Sequence, residues 1–310
     1  MSITRDDVRK AHARIVTRIR RTPVLEAEPA AFDTQRPVSL KLDYLQHGGS
    51  FKTRGAFNSL LSQPIGKAGV VAASGGNHGV SVAVAAEALG VRATIFVPEI
   101  ASPAKIEAIR EHGAELVVAG ANYGEAAAAC EIYRQTSDAR FIHPYDQPAT
   151  IAGQGTIGVE WERQAPDLDT ILLAVGGGGL AAGMAAHYDG AVRIIGVEPE
   201  RAPTLHAALA RGGPVDVEVG GIAADSLGAR RIGDLGFSIC KRLLAGHVLV
   251  SDAAIADAQR LLWRRFRIAV EPGGAAALAA LLTGIYMPED NERVGVLLCG
   301  GNVDPATLAS

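Results

Sequence analysis

Residues 170–180 read TILLAVGGGGL: an apolar run, then four consecutive glycines, then the opening of a helical pattern. Thr170 to Val175 shows no apolar/polar alternation, which is the pattern of a strand buried on both faces. A buried strand that turns straight into a helix is one step of a parallel sheet. The same rhythm recurs along the chain. Gly69–Ala73 precedes a helical pattern from His78 to Leu89, Ala93–Val97 one from Pro103 to Glu111, and Glu115–Val118 one from Tyr123 to Gln135. Phe141–His143, Arg193–Val197 and Arg293–Leu298 read as further strands. Strands alternating with helices of about 10–15 residues predict an α/β fold of two open lobes with mainly parallel sheets. Residues 69–146 form the expected smaller lobe, and residues 1–68 with 147–310 the larger.

The chain has 310 residues, 48% of them hydrophobic, with few aromatics and abundant Ala and Gly. That length supports a large core in one or two domains, and small residues suit helices packed closely on sheets. A net charge of −3 offers no basic field for nucleic acid or an acidic membrane surface. The N-terminal MSITRDDVRKAHARIV is charged and lacks the apolar centre of a signal peptide. No apolar run reaches the about 20 residues of a membrane helix; Ala269–Leu282 is interrupted by Glu271-Pro272-Gly273-Gly274. Cys130, Cys240 and Cys299 are too few and scattered for a disulfide framework or a zinc cluster. A cytoplasmic protein acting on a small molecule is expected.

Gly176, Gly177, Gly178 and Gly179 follow a strand and open a helix. Glycines let backbone approach a phosphate, and free N–H groups at the helix start attract its charge. A tight turn that binds nothing is the plain alternative. A dinucleotide fingerprint is another, since Gly176, Gly178 and Ala181 approximate its spacing and Glu198 follows at a suitable distance. The motif alone does not choose between a dinucleotide and a single phosphate.

Ser74-Gly75-Gly76-Asn77-His78-Gly79 also stands between a strand and a helix, where helix-start amides can hold a carboxylate or simply be capped. Cys299 follows the last strand. Lys52 lies in Gly49-Ser50-Phe51-Lys52-Thr53-Arg54-Gly55-Ala56, a glycine-flanked turn at a helix mouth. A lone lysine there is ordinarily a solvated charge. Together, however, the four sites fall at the carboxyl ends of strands, where open α/β sheets collect ligands. A lysine amine beside a single phosphate cup is what pyridoxal 5′-phosphate (PLP) requires.

The sequence resembles the serine/threonine dehydratase and serine racemase family of fold-type II PLP enzymes over nearly its whole length. The resemblance rests on residues 49–56, 74–79 and 176–179, on His143-Pro144-Tyr145-Asp146 with Ile151-Ala152-Gly153-Gln154-Gly155-Thr156, and on Glu271-Pro272-Gly273 and Cys299-Gly300-Gly301-Asn302-Val303-Asp304. It implies PLP in the cleft between the lobes, anchored on Lys52 with Phe51 beside it. Gly176, Gly177, Gly178 and Gly179 would take the phosphate, Asn77 the cofactor's 3-hydroxyl and Cys299 the ring nitrogen. Ser74, Gly75, Asn77 and His78 would bind the substrate carboxylate. A homodimer is the family's usual assembly.

The implied reaction is α,β-elimination from a β-hydroxy amino acid such as L-threonine or L-serine, with Lys52 as the base at the α-carbon. Cys299, a weak neutral partner for the ring, favours prompt elimination. The family's racemases carry a serine at the position of Gly75, so racemisation has no second acid here. Hydroxyaspartate ammonia-lyase and β-replacement are the other outcomes on this scaffold, although Thr53-Arg54-Gly55 suits dehydratases better than synthases. A dinucleotide-dependent oxidoreductase would leave Lys52 unexplained, and a catalytically silent binding protein would have no need of it. The family's cation site is only partly kept: Glu198 and Ala202 are present, but Thr204 stands where an acid is expected, so a mono- or divalent ion has a weakened site. The chain stops soon after the last strand, so no appended regulatory domain is expected.

Overall fold

The computed structural model describes residues 2–101 and 103–308. Strands β1 (Val24–Ala27) and β2 (Val38–Lys41) precede β3 (Val70–Ala73), β4 (Ala93–Val97), β5 (Glu115–Val118) and β6 (Arg140–Phe141). β7 (Thr170–Ala174), β8 (Arg193–Pro199), β9 (Gly246–Val250) and β10 (Val294–Leu297) follow. They form a six-stranded sheet of order β1-β2-β10-β7-β8-β9 and a four-stranded sheet of order β5-β4-β3-β6. All ladders are parallel except β1–β2. The unalternating apolar strands β3, β4, β7 and β10 are buried throughout, as expected for sheets covered on both faces, and β2 is buried throughout as well although Val38-Ser39-Leu40-Lys41 alternates.

Helices α1 (Arg5–Ile15), α2 (Pro29–Phe32) and α3 (Lys52–Ser62) belong to the first part of the chain. α4 (Asn77–Leu89), α5 (Pro103–Glu111) and α6 (Tyr123–Thr136) alternate with the strands of the smaller sheet. α7 (Pro148–Gln164), α8 (Gly179–Tyr188), α9 (Thr204–Arg211), α10 (Ala224–Leu227), α11 (Asp234–Leu243), α12 (Asp252–Phe266) and α13 (Pro272–Leu282) follow in the rest of the chain. No described helix is long and apolar enough to cross a membrane. The apolar run that Glu271-Pro272-Gly273 interrupts becomes α13, buried from Gly273 to Leu281, with Pro272 at its permitted first position.

α7 is the element that brings the site together. It is buried from Thr150 to Trp161 and lies between α3 and α8. Small residues set the approach: a Cβ at Gly153 would come within 2.7 Å of Gly55 Cα in α3, and one at Gly155 within 2.5 Å of the Gly183 carbonyl in α8. Backbones therefore touch where side chains would otherwise separate them. α3 carries Lys52 and α8 the tetraglycine loop, so both are fixed against one helix.

Candidate active site

Because the sheets are parallel, the loops after β3, β7 and β10 open on one side of their sheets, and the lysine turn joins them. Ser50 bridges to Gly300, Phe51 N–H donates to the Cys299 carbonyl (3.0 Å) and Gly301 N–H to Gly49 (2.9 Å). Asn302 Nδ2 reaches both the Gly48 carbonyl (2.9 Å) and Asn77 Oδ1 (2.8 Å). Gly49, with φ of +73°, sits so near Asn302 that a Cβ would lie 2.1 Å from its Oδ1. One asparagine thus ties together the lysine turn, the loop after β3 and the loop after β10.

Lys52 is the first residue of α3. Its ammonium donates to the Pro144 carbonyl at 2.9 Å and lies 5.2 Å from the centre of the Phe51 ring. Desolvation by the surrounding protein pulls its pKa down to about 8, against the opposing pull of Cys299 and Glu271. An amine this easily deprotonated is suited to nucleophilic and base chemistry near neutral pH.

Behind Lys52 lies a buried charge network. Arg54 donates to both oxygens of Asp43 and both oxygens of Glu160 at 2.6–3.1 Å, and Lys41 donates to Glu160 at 2.9 Å. Arg54, Asp43 and Lys41 are fully buried. Two cations balance two anions, and the hydrogen bonds satisfy the guanidinium. The network clamps the first turn of α3 to α7 and β2, two residues from Lys52.

The loop after β3 starts α4 with Gly76 as N-cap and no side-chain cap, leaving helix-start amides available. Ser74 Oγ accepts from Gly76 N–H within the loop (3.2 Å). Asn77 Nδ2 donates to Glu271 Oε1 at 2.5 Å. His78 is not gathered with them: it is buried, and its Nε2–H donates to the Ile142 carbonyl at 2.8 Å. Burial drives its pKa down to about 3, so the ring is neutral. A Cβ at Gly75 would fall 2.7 Å from Ala101 Cβ, so that volume is already filled.

At the tetraglycine loop, Gly178 is the N-cap of α8 with φ of +86°, and no side chain caps the helix. A Cβ would strike the Tyr145 ring at Gly177 (2.3 Å), Ile232 at Gly178 (2.7 Å) and the Tyr145 carbonyl at Gly179 (2.5 Å). Packing therefore accounts for three of the glycines, and the uncapped amides are the stronger sign of an anion site. Cys299 is buried, its thiol donating to the Gly273 carbonyl at 3.6 Å, and burial raises its pKa so that it stays neutral.

Glu198 is fully buried, and its carboxyl serves the start of α9: Oε1 accepts from Leu205 N–H (2.7 Å) and Oε2 from His206 N–H (2.9 Å). Thr204 Oγ1 lies 3.1 Å from Glu198 Oε1 and 2.6 Å from the Gly176 carbonyl. The Ala202 carbonyl receives Thr204 N–H at 3.2 Å. The group considered above for a cation or a ribose is thus a helix cap. No described cluster of three His, Cys, Asp or Glu is arranged to hold a metal ion.

The residues fit PLP. Lys52 supplies a poised amine, α8 an uncapped anion-binding start, and Cys299 a neutral partner. Two buried polar atoms nearby in the chain's loops, Ser50 Oγ and Glu271 Oε2, have no hydrogen-bond partner within the protein, as expected of a ligand site. Reading the sequence missed Glu271 and Asn302 as site residues. Both stand inside motifs that carry the resemblance, Glu271-Pro272-Gly273 and residues 299–304, but neither was given a role.

Comparison with known proteins agrees with this geometry. The family model described as "Pyridoxal-phosphate dependent enzyme" matches residues 15–300. An L-threonine ammonia-lyase of Geobacter sulfurreducens is 40% identical over 308 residues, covering 97% of this chain and 76% of that one. A phenylserine dehydratase of Ralstonia pickettii is 39% identical over 303 residues, covering 96% and 92%. The solved structure of maize serine racemase superposes with a TM-score of 0.93 at 32% identity, covering 100% and 96%.

Proposed function

Because the chain belongs to the pyridoxal-phosphate dependent enzyme family, we propose that it is an ammonia-lyase that dehydrates β-hydroxy amino acids, L-threonine or L-serine foremost, to a 2-oxo acid and ammonia. The observation that carries this reading is Lys52, a lysine with lowered proton affinity beside a buried neutral thiol and an uncapped helix start. The dehydratase and ammonia-lyase relatives named above support it. PLP, when bound, supplies the electron sink that makes the substrate's α-proton removable.

The chain's residues divide the remaining work. Lys52 would hold the cofactor through its amine and, as a free base, would take the proton from the substrate's α-carbon. The start of α4, with Ser74 and Asn77, holds the substrate carboxylate and so fixes which face of the α-carbon meets Lys52. The start of α8 holds the cofactor phosphate through backbone N–H groups. Cys299, buried and neutral, would give the ring nitrogen no charged partner, which would favour elimination of the β-hydroxyl over side reactions. The unsaturated amine that is released hydrolyses to the oxo acid and ammonia.

Two features favour lyase over racemase. Gly75 has no side chain to reprotonate the opposite face, and Ala101 fills the volume toward which one would point. Residues 69–146, which contain the four-stranded sheet, form a smaller body closing on the substrate. The test is to supply L-threonine, L-serine and threo-3-hydroxyaspartate to PLP-loaded protein and measure ammonia and 2-oxo acid. Equal release of both from threonine or serine is the expected result. Appearance of the D-isomer without release would replace this reading with racemisation.

A further inference from the structure

Glu271 is the cleft residue to which the chemistry above gives no task. It occupies the N-cap position of α13 without capping it through its side chain. The carboxyl is instead directed to the loops of the site: Oε1 accepts from Asn77 Nδ2 at 2.5 Å and lies against Gly300, where a Cβ would be 2.0 Å away. Glu271 is only 4% exposed, and Oε2 has no hydrogen-bond partner. An ionised carboxylate with one bare, buried oxygen is costly. A carboxylic acid reduces that cost, because Oε1 still accepts from Asn77 while Oε2 carries the proton, leaving a neutral hydroxyl rather than a charge without a partner.

The charges acting on it come from several elements. Lys105 of α5 and Lys52 of α3 favour the ionised form, as does the Asn77 amide of α4, whereas Asp225 of α10 opposes it. Lys105 is itself paired with Asp225, which blunts its effect. Cys299, after β10, stays uncharged and adds no cation. Burial outweighs these attractions and raises the Glu271 pKa to about 7.

We propose that Glu271 is a positioning residue that works as a neutral acid, holding Asn77 at the start of α4 and keeping the 74–79 loop receptive to the anionic end of the substrate. Ionised, it places a negative charge beside that loop and weakens anion binding. The inference rests on reading residues 74–79 as the carboxylate site. Glu271 resembles in kind other buried carboxylic acids kept neutral so that they serve as hydrogen-bonding groups rather than charges.

The test uses the PLP-loaded enzyme and 2-hydroxybutyrate, an anion whose hydroxyl replaces the amine, so that no amine titrates on the ligand. Calorimetric binding is measured from about pH 6 to about pH 9, and wild type is expected to weaken by about tenfold per unit once Glu271 ionises. Glu271→Gln keeps the acceptor for Asn77 and carries no charge, so its affinity should lack that decline. Lys52 is common to both proteins, and the difference between them isolates Glu271. Independently of any ligand, wild type should show an infrared carboxylic-acid carbonyl band that fades as pH rises through neutrality and is absent from Glu271→Gln. Equal pH dependence in the two proteins would overturn the inference. So would a folded, PLP-loaded Glu271→Gln that binds nothing at any pH, because the carboxylate itself would then be required. Wild type that shows the infrared band but never binds 2-hydroxybutyrate would instead overturn the carboxylate-loop reading, and the inference with it. That last outcome leaves PLP-dependent elimination to be judged separately by ammonia release.

Discussion

Asn302 Nδ2 stands 2.8 Å from Asn77 Oδ1 and 2.9 Å from the Gly48 carbonyl, joining the loop after β10 to the loop after β3 and to the turn before Lys52. With Asn77 held from its other side by Glu271, the amide has a single orientation. The loops after β3 and β10 therefore preset Asn77, the residue proposed above to meet cofactor and substrate, which is how a site built on loops keeps its geometry.

Asn302→Ala removes one donor and leaves Asn77 Oδ1 and the Gly48 carbonyl short of partners. The cost should be about 1–3 kcal/mol per buried group left unsatisfied. Expressed through substrate binding, it should raise KM more than it lowers kcat. Steady-state kinetics on threonine or serine check this split.

On the function proposed above, Lys52→Ala removes both anchor and base. Turnover should fall by at least about 10²–10⁴-fold, the range of a positioned general base, and the visible absorbance of the lysine-linked cofactor should vanish. Because the free Lys52 amine has its pKa near 8, cofactor loading onto apo-protein should quicken as pH rises toward that value and then level. Stopped-flow absorbance across pH measures it.

Arg54→Met is expected to be more damaging than an exposed arginine change. It strands Asp43 and Glu160 in the interior without their shared guanidinium. Removing one partner of a buried ion pair costs about 3–5 kcal/mol, and the loss should appear as a lower denaturant midpoint. Any folded fraction should also load PLP poorly, since the first turn of α3 loses its clamp.

Acid should destabilise the fold through buried histidines. His78 and His143 have pKa values lowered by burial to about 3 and about 4, from an ordinary 6.5. The unfolded chain therefore binds more protons than the folded one between those limits, so stability is full above about 6.5 and is lost as pH falls. Each group contributes up to about 1.4 kcal/mol per pH unit within its window. Urea unfolding at stepped pH checks the slope, which should flatten in His78→Gln.

The alternation of buried strands and helices was legible because short apolar runs of four to six residues, each followed by a turn and a longer helical pattern, recur along the chain, although buried helices such as α13 are equally apolar. β4, β5 and α5 lie where the periodicity places them. β1 and β9 were not seen. β1 is an antiparallel edge strand, and β9 is only half-buried along most of its length, so neither carries a continuous apolar run. The lysine turn and the loops at strand ends were legible as local motifs. Glu271, Asn302 and the Arg54–Asp43–Glu160–Lys41 network were not, since each acquires its meaning only from partners remote in sequence. Glu198 shows how little spacing alone decides: it suits a metal or ribose ligand and a helix cap alike, and here its carboxyl accepts from two amides and a hydroxyl at the start of α9.

The most direct measurement is to reduce the PLP-loaded protein with borohydride and map the modified peptide by mass spectrometry. The account predicts the reduced cofactor on the peptide containing Lys52 and on no other lysine. Label on Lys41, Lys105 or any lysine other than Lys52, or none at all, would contradict it.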